Sequence, residues 1–382
     1  MFQWQLFDFA INHRGQYQNS IPVAGKFYSS SGYEDELLWA ASWLHRATRE
    51  NTYADYVYQN GNSGGTRTMF SWDDKYVGAQ ILMAKNSLNG KYDEYGNFAE
   101  YKNQAEQYIC NCIGKGSNNV QRTPSGLLWW QPWNNLQYVS TAVFVTTTYA
   151  DYLGASSSTL HCQVGEVSPH NLINFVRSQV DHILGSNPKG MSYMVGFGQN
   201  YPRKVHHRGA SIVSINQDSS PVSCKGGYEV WFNKEAPNPN VLEGAIVGGP
   251  DQGDNFSDSR SNYQQAEPAT ANSAPLDELL WAASWLHRAT RENTYADYVY
   301  QNGNSGGTRT MFSWDDKYVG AQILMAKTLI VTSSFYHKTV HYDHKLMHIK
   351  AKRELKEFKG FRGRYNHTTC EYVHEPWAFH VE

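Results

Sequence analysis

The sequence predicts an all-α protein in which helices are followed by one long loop region. Apolar residues recur at helical spacing in several stretches, and few stretches show the alternation that predicts a strand. Residues 185–267 are instead rich in Gly, Pro, Asn and Asp. Because a long loop region inside a compact domain is usually functional, we expect the helices to form the framework and the loops to carry the site.

The helices are predicted in order along the chain. The segment DELLWAASWLHRATRE, from Asp35, predicts a helix with one apolar face formed by Leu37, Leu38, Ala41, Leu44 and His45. The Asn- and Gly-rich residues 60–65 end this pattern, and a second helix is predicted from Trp72. Further helices are predicted at residues 97–113, 136–153 and 169–184, the last with Ser168 as N-cap and Pro169 in the first turn.

The composition excludes some classes of function and favours another. The net charge of -2 argues against binding to nucleic acid or to an anionic membrane. Aromatic residues make up 14% of a chain whose mean hydropathy is -0.61, so some rings should lie on the surface, where they suit the apolar faces of sugars. More than half of these rings are expected in the core.

The cysteines and the chain start give weaker information. The five cysteines show no CxxC spacing, and they predict neither a zinc site nor a complete disulfide framework. We expect no signal peptide at the start of the chain and no transmembrane segment, because no apolar run has the required length.

Two polar constellations lie in the loop region. His206 and Arg208 alternate in a segment that follows Pro202, and alternate residues of an extended chain point the same way. Further on, titratable residues crowd into ten positions beside Gly-rich loops, namely Asp258, Arg260, Tyr263 and Glu267. Such a setting can bury a carboxyl group and raise its pKa to that of a general acid. A solvated loop with a salt bridge is an equally good reading of these residues alone.

Both constellations resemble the two signature stretches of family 9 glycoside hydrolases. The plant-type pattern continues in MFSWDDKYVGAQILMAK, SGLLWWQPWNNLQYVSTAVFV and PNPNVLEGAIVGGPDQGDNFSDSR. The resemblance covers about residues 4–276, the C-terminal part of the catalytic domain. It implies an incomplete (α/α)6 barrel with long active-site loops and an open aromatic groove.

The resemblance also implies an activity and a setting. It implies an endo-β-1,4-glucanase that hydrolyses cellulose-like glucans with inversion, without an obligatory cofactor and without a metal. We expect a monomer whose partner is a β-1,4-glucan polysaccharide. Members of this type are generally secreted or anchored toward the cell wall.

Roles are carried over by resemblance to matching positions. Glu267 matches the general acid, Asp258 the carboxylate that orders the site, and His206 a group that holds the sugar near the scissile bond. The substrate-binding positions are Arg208, Trp133, Tyr138 and, as a weaker candidate, Trp72. Gln137 stands where some members have an arginine.

The sequence departs from the family pattern at the catalytic base. The family takes its base from an Asp-Ala-Gly-Asp type motif, which does not occur here. Asp258 is a poor substitute, because it lies in the same loop as Glu267, whereas the base acts from the opposite face of the sugar. We therefore expect impaired hydrolysis. The alternative is a non-catalytic glucan-binding remnant, which binding of cello-oligosaccharides without cleavage would indicate.

Three regions are predicted along the chain. Residues 1–276 form the partial catalytic domain, and residues 277–327 repeat residues 35–85 letter for letter, which indicates a recent duplication. Residues 328–382 are expected to be an unrelated, poorly ordered, His-rich and basic tail. A lesser alternative is a metal site on one helix face of this tail, formed by His337, His341, His344 and His348.

Overall fold

The computed structural model describes residues 2–26, 29–61, 64–88 and 98–276. The predicted regions 277–327 and 328–382, and the histidine cluster of the tail, lie outside the described residues. The described chain divides into two compact units. The first contains residues up to 121 and residues 141–178, and the second contains residues 122–140 and residues from 179 onward.

Helices dominate the described residues, so the all-α prediction is confirmed. The longer helices are α1 (Phe2–Asn12), α3 (Glu34–Thr48), α4 (Asn51–Asn60), α5 (Tyr76–Leu88), α6 (Phe98–Cys112), α7 (Leu136–Ala155) and α8 (Pro169–Ile183). The short helices are α2 (Tyr17–Ser20), α9 (Arg208–Ser211), α10 (Cys224–Gly226) and α11 (Tyr263–Ala266). A 3-10 turn lies at Ala24–Lys26, and a π-helix lies at Gly227–Phe232. Residues 270–276 are also helical.

The strands are short. They are β1 (Gln121–Arg122), β2 (Leu128–Trp129), β3 (Leu160–Cys162) and β4 (Gly165–Val167). The antiparallel pair β3 and β4 turns back at Gly165, whose φ of 76° belongs to the left-handed region that glycine tolerates. This hairpin was not predicted from the sequence.

Helix α3 has the apolar face that its sequence predicts, and Leu37, Leu38, Ala41, Leu44 and His45 are all buried. It ends at Arg49, which adopts a left-handed conformation and donates its N–H to His45 O over 2.9 Å. A separate helix, α4, then follows, which the sequence analysis did not distinguish. Helix α3 packs against α1, α4 and α5, and α5 packs against α6.

The helix predicted from Trp72 begins only at Tyr76, so that boundary was wrong. Ser71 and Asp74 form an isolated bridge, which makes the preceding residues a tight turn. Asp74 Oδ1 then accepts the N–H of Tyr76 over 3.1 Å. The start of α8 agrees with the prediction, because Ser168 Oγ accepts the N–H of Asn171 over 3.3 Å and Pro169 opens the helix.

A disulfide links two parts of the first unit. Cys110 in α6 is bonded to Cys162 in β3, and the two residues are 52 positions apart in sequence. Cys112, two residues from Cys110, is buried and forms no disulfide among the described residues. The cysteine spacing does not predict this pairing. No helix among the described residues is both long enough and apolar enough to cross a membrane.

Candidate active site

Glu267 follows the short helix α11 in the second unit and is 5% exposed. The indole Nε1–H of Trp133 donates to Glu267 Oε2 over 3.1 Å. Burial raises the pKa of this carboxyl group above its usual value, and the hydrogen bond from Trp133 lowers it in part. A buried carboxyl group with a raised pKa can remain protonated and act as a proton donor.

Trp133 is positioned by the residue that follows it. Asn134 has a φ of 54°, a left-handed conformation that asparagine tolerates better than most residues. Its N–H donates to Gln264 O over 2.8 Å, and its side-chain Oδ1 accepts Asn272 Nδ2 over 2.6 Å. These bonds tie the Trp133 loop to the segments on both sides of Glu267, although the two are 134 positions apart.

The Gly-Gly-Pro motif at residues 248–250 packs directly against the segment that precedes Glu267. The N–H of Gly249 donates to Gln265 O over 3.0 Å, and its φ of 91° favours glycine. A Cβ atom at Gly248 would lie 2.2 Å from Gln264 O. The backbone can therefore approach this closely only because no side chain is present.

His206 lies beside the Glu267 segment. Its backbone N–H donates to Ala266 O over 2.8 Å, and its ring Nδ1 lies 2.6 Å from Arg260 O. Because a carbonyl can only accept, Nδ1 carries the proton, and in the neutral ring Nε2 is the acceptor nitrogen. The ring lies edge-on to Phe232, with ring centroids 5.5 Å apart.

His207 has the opposite arrangement. Its Nδ1 accepts the N–H of Ala210 over 2.9 Å and thereby caps helix α9. Burial lowers the pKa of His207, and the neighbouring His206 lowers it further. In its neutral form His207 therefore carries its proton on Nε2.

Arg208 opens helix α9. Its guanidinium lies over the ring of Tyr228, 4.3 Å from the centroid, and Nη2 donates to Cys224 O. The absence of a side chain on Gly227 permits this packing, because a Cβ there would lie 2.9 Å from Nη2. Arg208 Nε is buried and has no acceptor among the described residues, which is the kind of group that a ligand oxygen can satisfy.

Asp258 binds the backbone that leads to His206. Its Oδ2 accepts the N–H of Arg203 over 2.8 Å, and its Oδ1 accepts the N–H of Lys204 over 2.9 Å. Each carboxylate oxygen is thus engaged by a backbone amide. This geometry fits a role in ordering the loop better than it fits the role of a base that deprotonates water.

The remaining predicted residues differ in their setting. Tyr138 is 5% exposed, and its hydroxyl accepts a hydrogen bond from Gln131 Nε2. The same Nε2 lies 3.5 Å from Trp133 O, so Gln131 links the hydroxyl group of Tyr138 to the backbone of Trp133. Gln137 is buried as well. Trp72 is 39% exposed and belongs to the first unit.

The second unit thus brings together Trp133, His206, Asp258 and Glu267, with Arg208 two residues from His206. Sequence reasoning did not assign roles to Asn134, Asn272 or Arg260, which hold these groups in place. Arg260 had been noticed only as a titratable neighbour. Among the described residues, no group of three or more His, Cys, Asp or Glu side chains could hold a metal ion.

The chain is similar to known proteins over most of the described region. The family model described as "Glycosyl hydrolase family 9" matches residues 4–276 and 276–378. Endoglucanase 13 of Arabidopsis thaliana is 60% identical over 271 residues, which are 71% of this chain and 55% of that protein. Endoglucanase 14 of Oryza sativa is 53% identical over 285 residues, 72% of this chain and 55% of that protein. The chain therefore spans about half the length of these relatives.

Two solved structures of endoglucanases also match this chain. An endoglucanase from the termite Nasutitermes takasagoensis matches with a TM-score of 0.56 and 37% identity, over 71% of this chain and 55% of that one. Endoglucanase CelQ of Clostridium thermocellum, solved with cellobiose and cellotriose, matches with a TM-score of 0.57 and 29% identity, over 71% of this chain and 41% of that one. These matches confirm the predicted fold class, the (α/α)6 barrel.

Proposed function

The chain belongs to glycosyl hydrolase family 9, and from this membership we propose that it cleaves internal β-1,4-glucosidic bonds of cellulose-like glucans. Glu267 is the proton donor to the leaving glycosidic oxygen. The observation that carries this proposal is the buried carboxyl group of Glu267, whose Oε2 is held by the indole of Trp133. Because Oε2 accepts that hydrogen bond, the transferable proton is favoured on Oε1.

The sugar is held by His206, Arg208 and Trp133. His206 offers Nε2 as a hydrogen-bond acceptor for a hydroxyl group, since Nδ1 donates to Arg260 O. Arg208 offers its buried Nε–H to a sugar oxygen. Trp133 is half-buried and offers a ring face for stacking while its Nε1–H binds Glu267. Tyr138 acts through Gln131 and Trp133, and Trp72 is proposed as a further stacking residue.

We further propose that these 382 residues, taken by themselves, hydrolyse glucan slowly. Inversion needs a second carboxylate on the far side of the sugar, about 6.5–9.5 Å from the acid, with room for a water molecule. The Asp-Ala-Gly-Asp motif that supplies it in the family does not occur in the sequence, and Asp258 is occupied by two backbone amides. Without a paired base, such enzymes lose about 10²–10⁴ in rate.

We also propose that the chain acts outside the cell, on cell-wall glucans. Plant relatives and the Cys110–Cys162 disulfide support this location, because disulfides persist mainly in oxidising compartments.

The experiment compares the chain with its Glu267→Gln variant on two substrates. Cellohexaose needs protonation of a sugar leaving group, whereas a dinitrophenyl cellobioside carries a leaving group that departs without a proton. We expect Glu267→Gln to bind cellohexaose as well as the parent chain and to lower its cleavage rate about 10²–10⁴-fold. The dinitrophenyl cellobioside should be affected much less.

Two outcomes would contradict the proposal. Equal loss on both substrates would remove Glu267 from the role of proton donor. Failure of the parent chain to bind or cleave any cello-oligosaccharide would reject the glucan as ligand, and binding without cleavage would favour a binding protein.

A further inference from the structure

Arg260 is a buried cation whose partners are neutral. It is 5% exposed, and its guanidinium donates to Asn238 Oδ1 over 2.6 Å and to Lys234 O over 2.8 Å. It also donates to the carbonyl oxygens of Phe232 and Ala236. Among the described residues Arg260 makes no salt bridge with a carboxylate.

Burying a guanidinium among neutral acceptors is costly. Burial lowers the pKa of Arg260, and the charges of Glu235 and Asp258 offset this effect in part. An apolar side chain of similar volume would avoid the cost. A buried charge without an opposite charge in contact is therefore a sign of a specific task, and its hydrogen bonds show which segment it organises.

These bonds lead to His206 by two routes. The backbone carbonyl of Arg260 accepts His206 Nδ1–H over 2.6 Å. The side chain of Arg260 binds Asn238, whose Nδ2 donates to Val205 O over 3.1 Å and whose N–H donates to Arg203 O over 2.8 Å. The guanidinium of Arg260 therefore holds Val205, the residue before His206, through Asn238. It also anchors the Arg260 carbonyl group, which selects the protonated nitrogen of the His206 ring.

We propose that Arg260 is a positioning residue that holds His206 as the Nδ1–H tautomer and so makes Nε2 the acceptor for a sugar hydroxyl. The claim that Nε2 accepts a hydrogen bond from a sugar hydroxyl rests on the proposed function, whereas the assignment of the tautomer does not. Arg260 itself touches no substrate. Its effect passes through the carbonyl group and through Asn238.

A cavity beside Arg260 allows a chemical test. It has a volume of about 160 Å³, and its lining includes Ser211, Trp231, Lys234 and Arg260. In an Arg260→Ala variant this space would join the volume left by the missing side chain. Free guanidinium ion, which is planar and carries the same donors, could then enter and bind the same carbonyl oxygens.

The experiment measures the tautomer and the sugar affinity separately. In the parent chain labelled with ¹⁵N-histidine, we expect His206 to show a protonated Nδ1 and an unprotonated Nε2, with the signals assigned through His206→Gln. In Arg260→Ala we expect mixed tautomers and about tenfold to hundredfold weaker binding of cellohexaose. Millimolar guanidinium chloride should restore both, and sodium chloride at equal ionic strength should not.

Two further variants keep the result decisive. Arg260→Lys retains the charge and most of the stem, so it should fold even where Arg260→Ala does not, yet it lacks the fork and should also show mixed tautomers. Arg203→Ala removes an exposed guanidinium that binds Tyr201 Oη and Gln199 O, and it should change neither readout.

Three results separate the possible failures. An Nε2–H tautomer in the parent chain, or an unchanged tautomer in both Arg260 variants, would overturn the inference. Weaker binding that guanidinium restores without any change of tautomer would also overturn it. A fixed Nδ1–H tautomer in a parent chain that binds no cello-oligosaccharide would leave the positioning role intact and reject the proposed function.

Discussion

The helical region formed by α3, α4, α5 and α6 and the loop region at residues 185–267 are held together in different ways. The helical region buries side chains at helical spacing, and its core includes Leu37, Ala41, Tyr53, Val57, Met83 and Tyr101. The loop region instead buries polar side chains such as those of Asn238 and Arg260. Their hydrogen bonds, like those of the partly exposed Asp258, go mainly to backbone groups. Apolar burial stabilises the first region, whereas saturation of backbone polar groups shapes the second.

Because the two regions are held together differently, we expect substitutions in them to affect stability and sugar binding differently. A helical core tolerates distant changes because many small contacts share its energy. A loop whose backbone depends on one side chain changes shape when that side chain is removed. We therefore expect substitutions in the helical region to lower the free energy of unfolding without changing sugar binding, and substitutions in the loop region to change binding at a smaller cost in stability.

The largest effect on stability is expected from the disulfide that ties the helical region, at Cys110, to strand β3. The double change Cys110→Ser and Cys162→Ser opens a loop that spans 52 residues. Cross-links of this size stabilise a fold by about 2–4 kcal/mol, chiefly by restricting the unfolded chain. We expect chemical denaturation to show a loss of that order, while cellohexaose affinity in the folded protein stays unchanged.

Cys112→Ser provides the matched control. This thiol is buried and is not part of the Cys110–Cys162 disulfide, so its replacement tests the effect of a serine at a buried cysteine position without opening that cross-link. A loss in the double variant no larger than in Cys112→Ser, or a tenfold loss of affinity in the double variant, would contradict the distinction between the two regions.

The same contrast explains what the sequence could predict. Helices α6, α7 and α8 were predicted within a few residues, because their apolar spacing is a local property. The start of α5 was wrong because Asp74 ends a turn there, and cap chemistry competes with periodicity. The contact between Trp133 and Glu267 joins residues 134 positions apart. Its geometry depends on Asn134, Gly248 and Asn272, for which no local pattern indicates the partner.

Asp258 gives the sharpest test within the loop region. Asp258→Ala removes the acceptor for the backbone N–H groups of Arg203 and Lys204, and the net contribution of such a hydrogen bond to stability is about 0.5–1.5 kcal/mol. Since this backbone leads to His206, we expect weaker cellohexaose binding in Asp258→Ala. Asp258→Asn keeps one acceptor oxygen, and we expect it to bind and cleave within about tenfold of the parent chain.

This pair distinguishes two roles for the carboxylate. A catalytic base must carry charge, so Asp258→Asn would then lose about 10²-fold or more in rate with little change in binding. Such a loss, measured by release of reducing ends from cellohexaose, would reject the positioning role of Asp258.

The smallest expected effect concerns His207, which caps α9 through Nδ1. Burial holds the pKa of His207 below its usual value of 6.5, so the folded state favours the neutral ring that can accept the N–H of Ala210. The stability from this cap is fully present above pH 6.5 and is lost as the pH falls from 6.5 toward the lowered pKa of the folded state. His207→Ala should cost about 1 kcal/mol at pH 8.

His207→Asn separates the cap from its titration. Asparagine is a good N-cap and does not ionise, so this variant should match the parent chain at pH 8 and lose less stability between pH 6.5 and 5. Denaturation at both pH values measures the difference. If His207→Asn and the parent chain lose stability in parallel on acidification, the cap does not titrate and the lowered pKa of His207 does not make this cap sensitive to pH.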